Sequence, residues 1–310
     1  MMIDLPPESV RTLVAVVDEG TLDAAARALH VTPSAVSQRI KLLEQRAGRV
    51  LLVRAKPVRL TESGEVVVAF GRQLVMLERD LRASLALSDD PVPVPIAVNA
   101  DSLATWFRRV IRDLAGDDLV ALRVRREDQD HTTELLRQGL VVAAVTSSAT
   151  PVQGCLVRGL GGIRYHAAAT KAFHTRWLAG RPLATALAEA PVVVFDERDD
   201  LQDRFCREVT GQAPLGVRHH VPDGQAYTEA VSAGLGWGVL MDEQFAMAGP
   251  LVRLAGNHSF RVPLYWQQWK LDSPSLRRVA DAVSAAAAGL DDHQPDARRR
   301  AANSSASAGS

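Results

Sequence analysis

The 310-residue sequence predicts a two-part fold. A small N-terminal all-α module carrying a winged helix-turn-helix is joined by one long linker helix to a C-terminal α/β region. Three observations predict it. Within residues 21–47, apolar residues recur at helical spacing in two short runs separated by Thr32-Pro33-Ser34. From Val67 to Leu81 the apolar positions alternate steps of three and four, the mark of a heptad seam. From Val94 onward, short apolar strands alternate with helical runs, which implies three-layer α/β packing on mainly parallel sheets.

Residues 8–18 form a first helix, with Val10, Leu13, Val14 and Val17 facing inward as a buttress. Leu22, Ala25, Ala26 and Leu29 give the second helix a single apolar face. The alanines matter because helices joined by a tight turn cross at close range, where larger side chains clash. Pro33 is tolerated in a first helical turn but not inside a helix. A third helix then runs over residues 34–47, with Val36, Ile40 and Leu43 inward, and Gly48 ends it.

The outer face of that helix carries Ser34, Ser37, Gln38 and Lys41, with Arg39 on its flank. Between Arg27 and Arg59 the basic residues are Arg27, Arg39, Lys41, Arg46, Arg49, Arg54, Lys56 and Arg59, against the single acid Glu44. Short hydroxyls, an amide and positive neighbours suit a DNA major groove. There glutamine pairs bidentately with adenine while lysine and arginine neutralise phosphates. Residues 50–54 read as a strand, 55–58 as a turn and 58–60 as a return strand, a wing carrying Arg54, Lys56 and Arg59. The candidate DNA-contacting set is therefore Thr32, Pro33, Ser34, Ser37, Gln38, Arg39, Lys41, Arg54, Lys56 and Arg59. A helical subdomain with a merely solvated basic face would not need all of these features together.

Thr61-Glu62-Ser63-Gly64 opens the linker helix, which continues to about residue 87. Its seam of Val67, Phe70, Leu74, Leu77 and Leu81 calls for a partner helix, or else for packing on its own module. Residues 88–93 form a proline-stiffened hinge. Strands are then expected at 95–99, 121–125, 141–146, 166–169, 192–195, 237–241 and 263–269. Helices are expected at 102–114, 132–138, 171–178, 199–209, 225–232 and 274–289. Residues 291–310 are low in complexity and expected to be disordered.

Formal net charge is zero, so the whole-chain average hides the basic N-terminal segment. The two cysteines, Cys155 and Cys206, form neither a C-x-x-C pair nor a zinc-spaced cluster, which fits a reducing compartment. The start lacks the features of a signal peptide and no apolar run is long enough for a bilayer, so a soluble, cytoplasmic protein with no membrane partner is expected. G-x-S-x-G, H-E-x-x-H and Walker motifs are absent, and Gly234, Gly236 and Gly238 lack the spacing of a dinucleotide fingerprint. No catalytic residue, metal or cofactor is expected, and the chain does not read as an enzyme.

Ligands of open α/β sheets sit beyond the carboxyl ends of strands, often against helix amino termini. That rule selects Asn99, Asp101 and Ser102, whose helix start favours a carboxylate. It also selects the acidic strand end Glu127, Asp128 and Asp130, then Thr146, and on later strands Phe195, Asp196 and Tyr227. An anion site beside carboxylates suits a zwitterion with an extra cationic group. Asp101 and Ser102 equally serve as caps, and 127–130 as a solvated turn.

The residues Ala25-Ala26, Leu29, Val36-Ser37, Ile40, Leu43-Glu44, Gly48, Leu51, Arg54, Thr61 and Gly64 resemble, in order and spacing, the DNA-binding domain of LysR-type transcriptional regulators. Leu52 departs from it, where most of the family has phenylalanine. The phrases A-V-N-A-D-S-L-A-T-W at 97–106, L-L-V-R at 51–54, P-L-Y-W at 263–266 and W-K-L-D-S-P at 269–274 are similar to one branch of that family, the LysG/ArgP type. The resemblance implies a winged helix-turn-helix over 1–60 and a dimerisation helix with hinge over 61–90. It further implies a two-lobed, periplasmic-binding-protein-like effector domain: lobe I over 91–163 and 265–290, lobe II over 164–264, and a tail over 291–310. It implies a double-stranded DNA operator, a homodimer or dimer of dimers, and RNA polymerase as a further partner. The implied effector is lysine, arginine or histidine, bound between the lobes, with activation of a gene for amino-acid export. Asp242 stands where the family usually has proline, at one pocket edge, so another small-molecule effector and target gene stays open as the alternative.

Overall fold

A computed structural model of the chain describes residues 4–53, 55–127, 129–256 and 258–290, with the backbone alone at 129–131. Arg54, Asp128, the Asp130 side chain and the expected tail at 291–310 lie outside the described residues. The chain divides into two compact units, Met1–Gly159 with Tyr265–Ala286, and Leu160–Leu264 with Ala287–Ser310.

The first unit opens with α1 (Pro7–Glu19), α2 (Leu22–Ala28), α3 (Pro33–Ala47), the hairpin β1 (Leu52–Val53) and β2 (Arg59–Leu60), and α4 (Glu62–Ser84). Thr21, Thr32 and Thr61 cap α2, α3 and α4, each hydroxyl accepting a backbone N–H at 3.1 Å. Such caps satisfy amides that a helix start leaves free. One core gathers Val10, Leu13, Val14 and Val16 of α1, Ala25 and Ala26, Val36, Ile40 and Leu43, Leu51 and Leu52, and Val68 of α4. Two glycines let α4 lie this close. A β-carbon at Gly64 would stand 2.0 Å from the Leu51 carbonyl oxygen, and one at Gly71 would stand 2.7 Å from methyls of Val10 and Val14.

The chain continues through β3 (Val92–Val98), α5 (Ala100–Ala104), α6 (Phe107–Asp113), β4 (Val120–Arg126), α7 (Gln129–Arg137) and β5 (Ala143–Thr146). Strand β3 lies between β4 and β5, parallel to both. The long β6 (Cys155–Thr170) carries the chain into the second unit. There follow α8 (Lys171–Trp177), α9 (Leu183–Glu189), β7 (Val192–Val194), α10 (Leu201–Thr210), β8 (Arg218–His220), α11 (Gly224–Ser232), β9 (Gly238–Met241), α12 (Asp242–Met247) and β10 (Leu251–Arg253). Strand β11 (Phe260–Trp269) returns to the first unit, and α13 (Pro274–Ala287) ends the described fold.

The sheets are mixed rather than mainly parallel. β4–β3–β5 and β7–β8 are parallel, but β9 and β10 run antiparallel to β6, and β11 runs antiparallel to β5. Parallel pairing needs a crossover helix, and β6 and β11 instead carry the chain between the two units. The helix expected over 102–114 is two pieces, broken at Thr105, whose φ −117° and ψ −108° are not helical. β6 is sixteen residues long where only 166–169 reads as a strand, because Gly159, Gly161 and Gly162 interrupt its apolar pattern.

Candidate DNA interface and effector site

Helix α3 separates its residues cleanly. Val36, Ile40 and Leu43 are buried, while Thr32, Pro33, Ser34, Gln38 and Lys41 are exposed and Ser37 is half-buried. The spacing Ser34, Gln38, Lys41 keeps three polar side chains on one helix face. Arg39 is differently placed: it pairs with Glu8 of α1 at 3.0 Å and reaches the Thr12 hydroxyl at 3.5 Å. The lone acid of the basic stretch has a structural task. A Glu44 carboxylate oxygen accepts the N–H groups of Leu51 at 2.9 Å and Leu52 at 3.4 Å, fixing the start of the wing against α3. In the wing, Leu52 pairs with Leu60 and Val53 with Arg59, leaving Lys56 and Arg59 exposed. Among the described residues neither of those two, nor Lys41, has an ion-pair partner. A polar helix face and unneutralised cations on one hairpin can together meet base edges and phosphates.

On α4, Val68 and Gly71 face α1, and Val67 packs at the edge of the same core. Leu74 is half-buried. Phe70, Leu77 and Leu81 are 49%, 38% and 58% exposed, with Val66 alongside them at 68%. An apolar stripe of that kind, at steps of three and four, suits a second helix.

At the far end of β3, the parallel register continues across three strands. Val98 faces Arg126 and Ala97 faces Ala144, so Asn99, Glu127 and Thr146 follow in one row at the carboxyl edge. The Glu127 N–H donates to the Val98 carbonyl at 3.3 Å. Asn99 precedes α5 without capping it, and its buried Oδ1 has no hydrogen-bond partner among the described residues. The Ser102 hydroxyl, fully buried, likewise has none among the described residues. Asp101 is half-buried, and its carbonyl accepts the Thr105 hydroxyl at 2.6 Å. Buried Thr146 accepts the Ser148 N–H at 3.1 Å. The structure thus brings Asn99, Ser102, Glu127 and Thr146 to one sheet edge.

Trp106 lies a few residues on, at the end of the same phrase. It is buried beside Phe107, and its indole N–H also lacks a partner among the described residues. Its signal was its place in the phrase at 97–106. Buried polar atoms left unpaired are uncommon and costly in a native fold.

In the second unit, Phe195 and Asp196 follow β7 and are half-buried. Asp196 accepts the N–H groups of Arg198 at 2.8 Å and Asp199 at 3.1 Å, shaping the turn. Burial holds the Asp199 carboxyl above its ordinary range, although Phe195 and Leu201 N–H groups pull the other way. Tyr227 is buried, and its hydroxyl receives Val239 N–H at 2.8 Å and Gln202 Nε2 at 2.9 Å. It therefore ties α10, α11 and β9 together. Asp242 meets buried His166, Oδ1 to Nε2 at 2.5 Å. Burial pushes the Cys155 thiol up to about 11, which makes it a poor redox nucleophile. Among the described residues, no group of three or more histidine, cysteine, aspartate or glutamate side chains is placed to hold a metal ion, and no helix is long and apolar enough to cross a membrane.

Comparison with known proteins bears on both sites. Residues 7–65 match the family model described as bacterial regulatory helix-turn-helix protein, lysR family, and residues 94–288 match the LysR substrate binding domain. The chain is 45% identical over 306 residues to the HTH-type transcriptional regulator LysG of Mycobacterium tuberculosis, covering 96% of this chain and 99% of that one. It superposes on the crystal structure of ArgP from Mycobacterium tuberculosis with a TM-score of 0.87 at 45% identity, covering 94% of this chain and all of the other. Full-length LysG from Corynebacterium glutamicum with bound effector Arg gives a TM-score of 0.79 at 40% identity, covering 92% and 98%.

Proposed function

Because the chain belongs to the LysR family of transcriptional regulators, in its LysG/ArgP branch, we propose that it senses a basic amino acid and controls a gene for amino-acid export. It is a DNA-binding regulator and not an enzyme. In this reading Ser34, Ser37 and Gln38 face base edges, while Lys41, Arg54, Lys56 and Arg59 meet phosphates. Two copies join through Phe70, Leu77 and Leu81, with Leu74 and Val67 at the margin of the seam.

The effector is arginine or lysine, bound at the carboxyl edge of β3 and β4. Its carboxylate lies near Asn99, Asp101 and Ser102, and its side-chain cation meets Glu127, Asp128 and Asp130. Thr146 lines the same edge. The observation that carries this is the pair of buried polar groups at Asn99 and Ser102, without hydrogen-bond partners among the described residues and one strand from Glu127. Arginine bound to the Corynebacterium glutamicum relative supports the same chemistry.

Calorimetry on the full-length protein tests the reading, with arginine, lysine, histidine and norleucine as ligands. Arginine or lysine should bind, and norleucine, which lacks the cation, should bind at least about tenfold more weakly. Glu127→Gln should cost the cationic ligand on the order of 2 kcal/mol or more and leave norleucine unchanged. Heat from a different metabolite, with none from the basic amino acids, would sustain the regulator and dismiss this effector.

A further inference from the structure

We propose that Arg72 is the mechanical joint between the effector edge and the DNA-binding module, acting through helix α7. Arg72 projects from the middle of α4 and is held on both sides. One guanidinium nitrogen pairs with Asp18 of α1 at 2.5 Å, and the other donates to the Gln138 carbonyl at 3.0 Å. Its side chain is only 14% exposed, so it is committed to these contacts. A planar fork with two fixed donor directions suits such a bridge better than an ammonium would.

The carbonyl it grips, that of Gln138, directly follows the end of α7, the helix that begins two residues beyond Glu127. Nine helical residues at 1.5 Å each span about 13 Å, so α7 runs as one rod from the proposed cation site to the linker helix. The grip is close-packed. Gly139 has φ +67°, and a β-carbon there would stand 2.7 Å from the Ala69 Cα and 3.2 Å from the Trp269 ring. Trp269 in turn donates its indole N–H to the Leu136 carbonyl at 3.3 Å, locking the last turn of α7. Packed elements without slack pass a displacement on rather than absorb it. A shift of α7 must therefore move Gln138 against Arg72, and Arg72 bears on α1 through Asp18. α1 also holds the recognition helix, through Glu8 and Arg39.

The direction of coupling rests on the effector reading above, but the joint itself does not, because linkage is reciprocal. Operator DNA should then alter α7 with no amino acid present. Hydrogen exchange on the full-length protein, with and without an operator fragment selected from random-sequence DNA, reads this directly. In the wild type, DNA should change exchange of the amides at 135–140 by roughly threefold or more. In Arg72→Met that response should vanish while DNA affinity stays within about threefold. Arg79→Met, an exposed neighbour on α4, should respond as the wild type does. Should Arg72→Met fail to fold, Asp18→Asn breaks the same bridge at a half-exposed carboxylate and should blunt the response.

An undiminished response in Arg72→Met or Asp18→Asn, or no response in the wild type, overturns the joint. Adding arginine separates the two proposals. If arginine does not bind but the DNA response depends on Arg72, the effector falls and the joint stands. If arginine binds and the DNA response survives Arg72→Met, the joint falls and the effector stands.

Discussion

Gln38 and Lys56 are both exposed polar residues, yet they should fail in different ways when removed. Gln38 stands on the α3 face opposite Val36, Ile40 and Leu43, where a base edge would lie. Gln38→Ala should cost about 1–3 kcal/mol on the specific operator and little on random DNA. Lys56 stands on the wing and, among the described residues, has no ion-pair partner. Lys56→Ala should weaken every sequence and flatten the salt slope by roughly one unit. Equal losses on operator and random DNA for Gln38→Ala would remove it from base reading. Arg39 has the residue type of a DNA ligand, but its bond to Glu8 gives it a second occupation that composition does not reveal. Gly64 is the sharpest steric case. Its missing β-carbon is what admits the Leu51 carbonyl, so Gly64→Ala should lower stability by about 2 kcal/mol or more in a thermal melt. A melt unchanged from wild type would mean that the wing yields easily.

Elements were legible where local rules act alone. The pattern of Leu22, Ala25, Ala26, Pro33, Val36, Ile40 and Leu43 marks two helices and the turn between them, and α2 and α3 form there. The strand ends at Asn99, Glu127 and Thr146 followed from where the apolar runs stop, and the parallel register lines them up. What escaped the sequence depends on partners distant in the chain. The length of β6 comes from partners distant in the chain, not from its glycine-broken pattern: β9 and β10 pair along 165–170, and β11 is its other neighbour in the sheet. The vacant hydrogen-bonding capacity of Trp106 exists only once the fold has buried it. The heptad reading of α4 is a further instance: Val67 turned to its own core, while Phe70, Leu77 and Leu81 stayed at the surface. Leu77→Asp with Leu81→Asp should therefore leave the subunit folded and abolish dimerisation, because charge would enter an apolar interface. Sedimentation checks it. A double mutant that still runs as a dimer places the subunit contact elsewhere.

At the scale of the molecule, the segregated charge now has a meaning. Basic residues gather on the recognition helix and wing, which suits a polyanion, and in the sequence the acids Glu127, Asp128 and Asp130 follow β4. An effector matters to transcription only if it binds one arrangement of subunits on DNA better than another. The most direct measurement is the DNase footprint of the full-length protein on its operator as arginine or lysine is titrated. The protected or hypersensitive bases should change with a midpoint that matches the calorimetric Kd, and norleucine should change nothing. A footprint that stays the same at saturating arginine and lysine would contradict this reading.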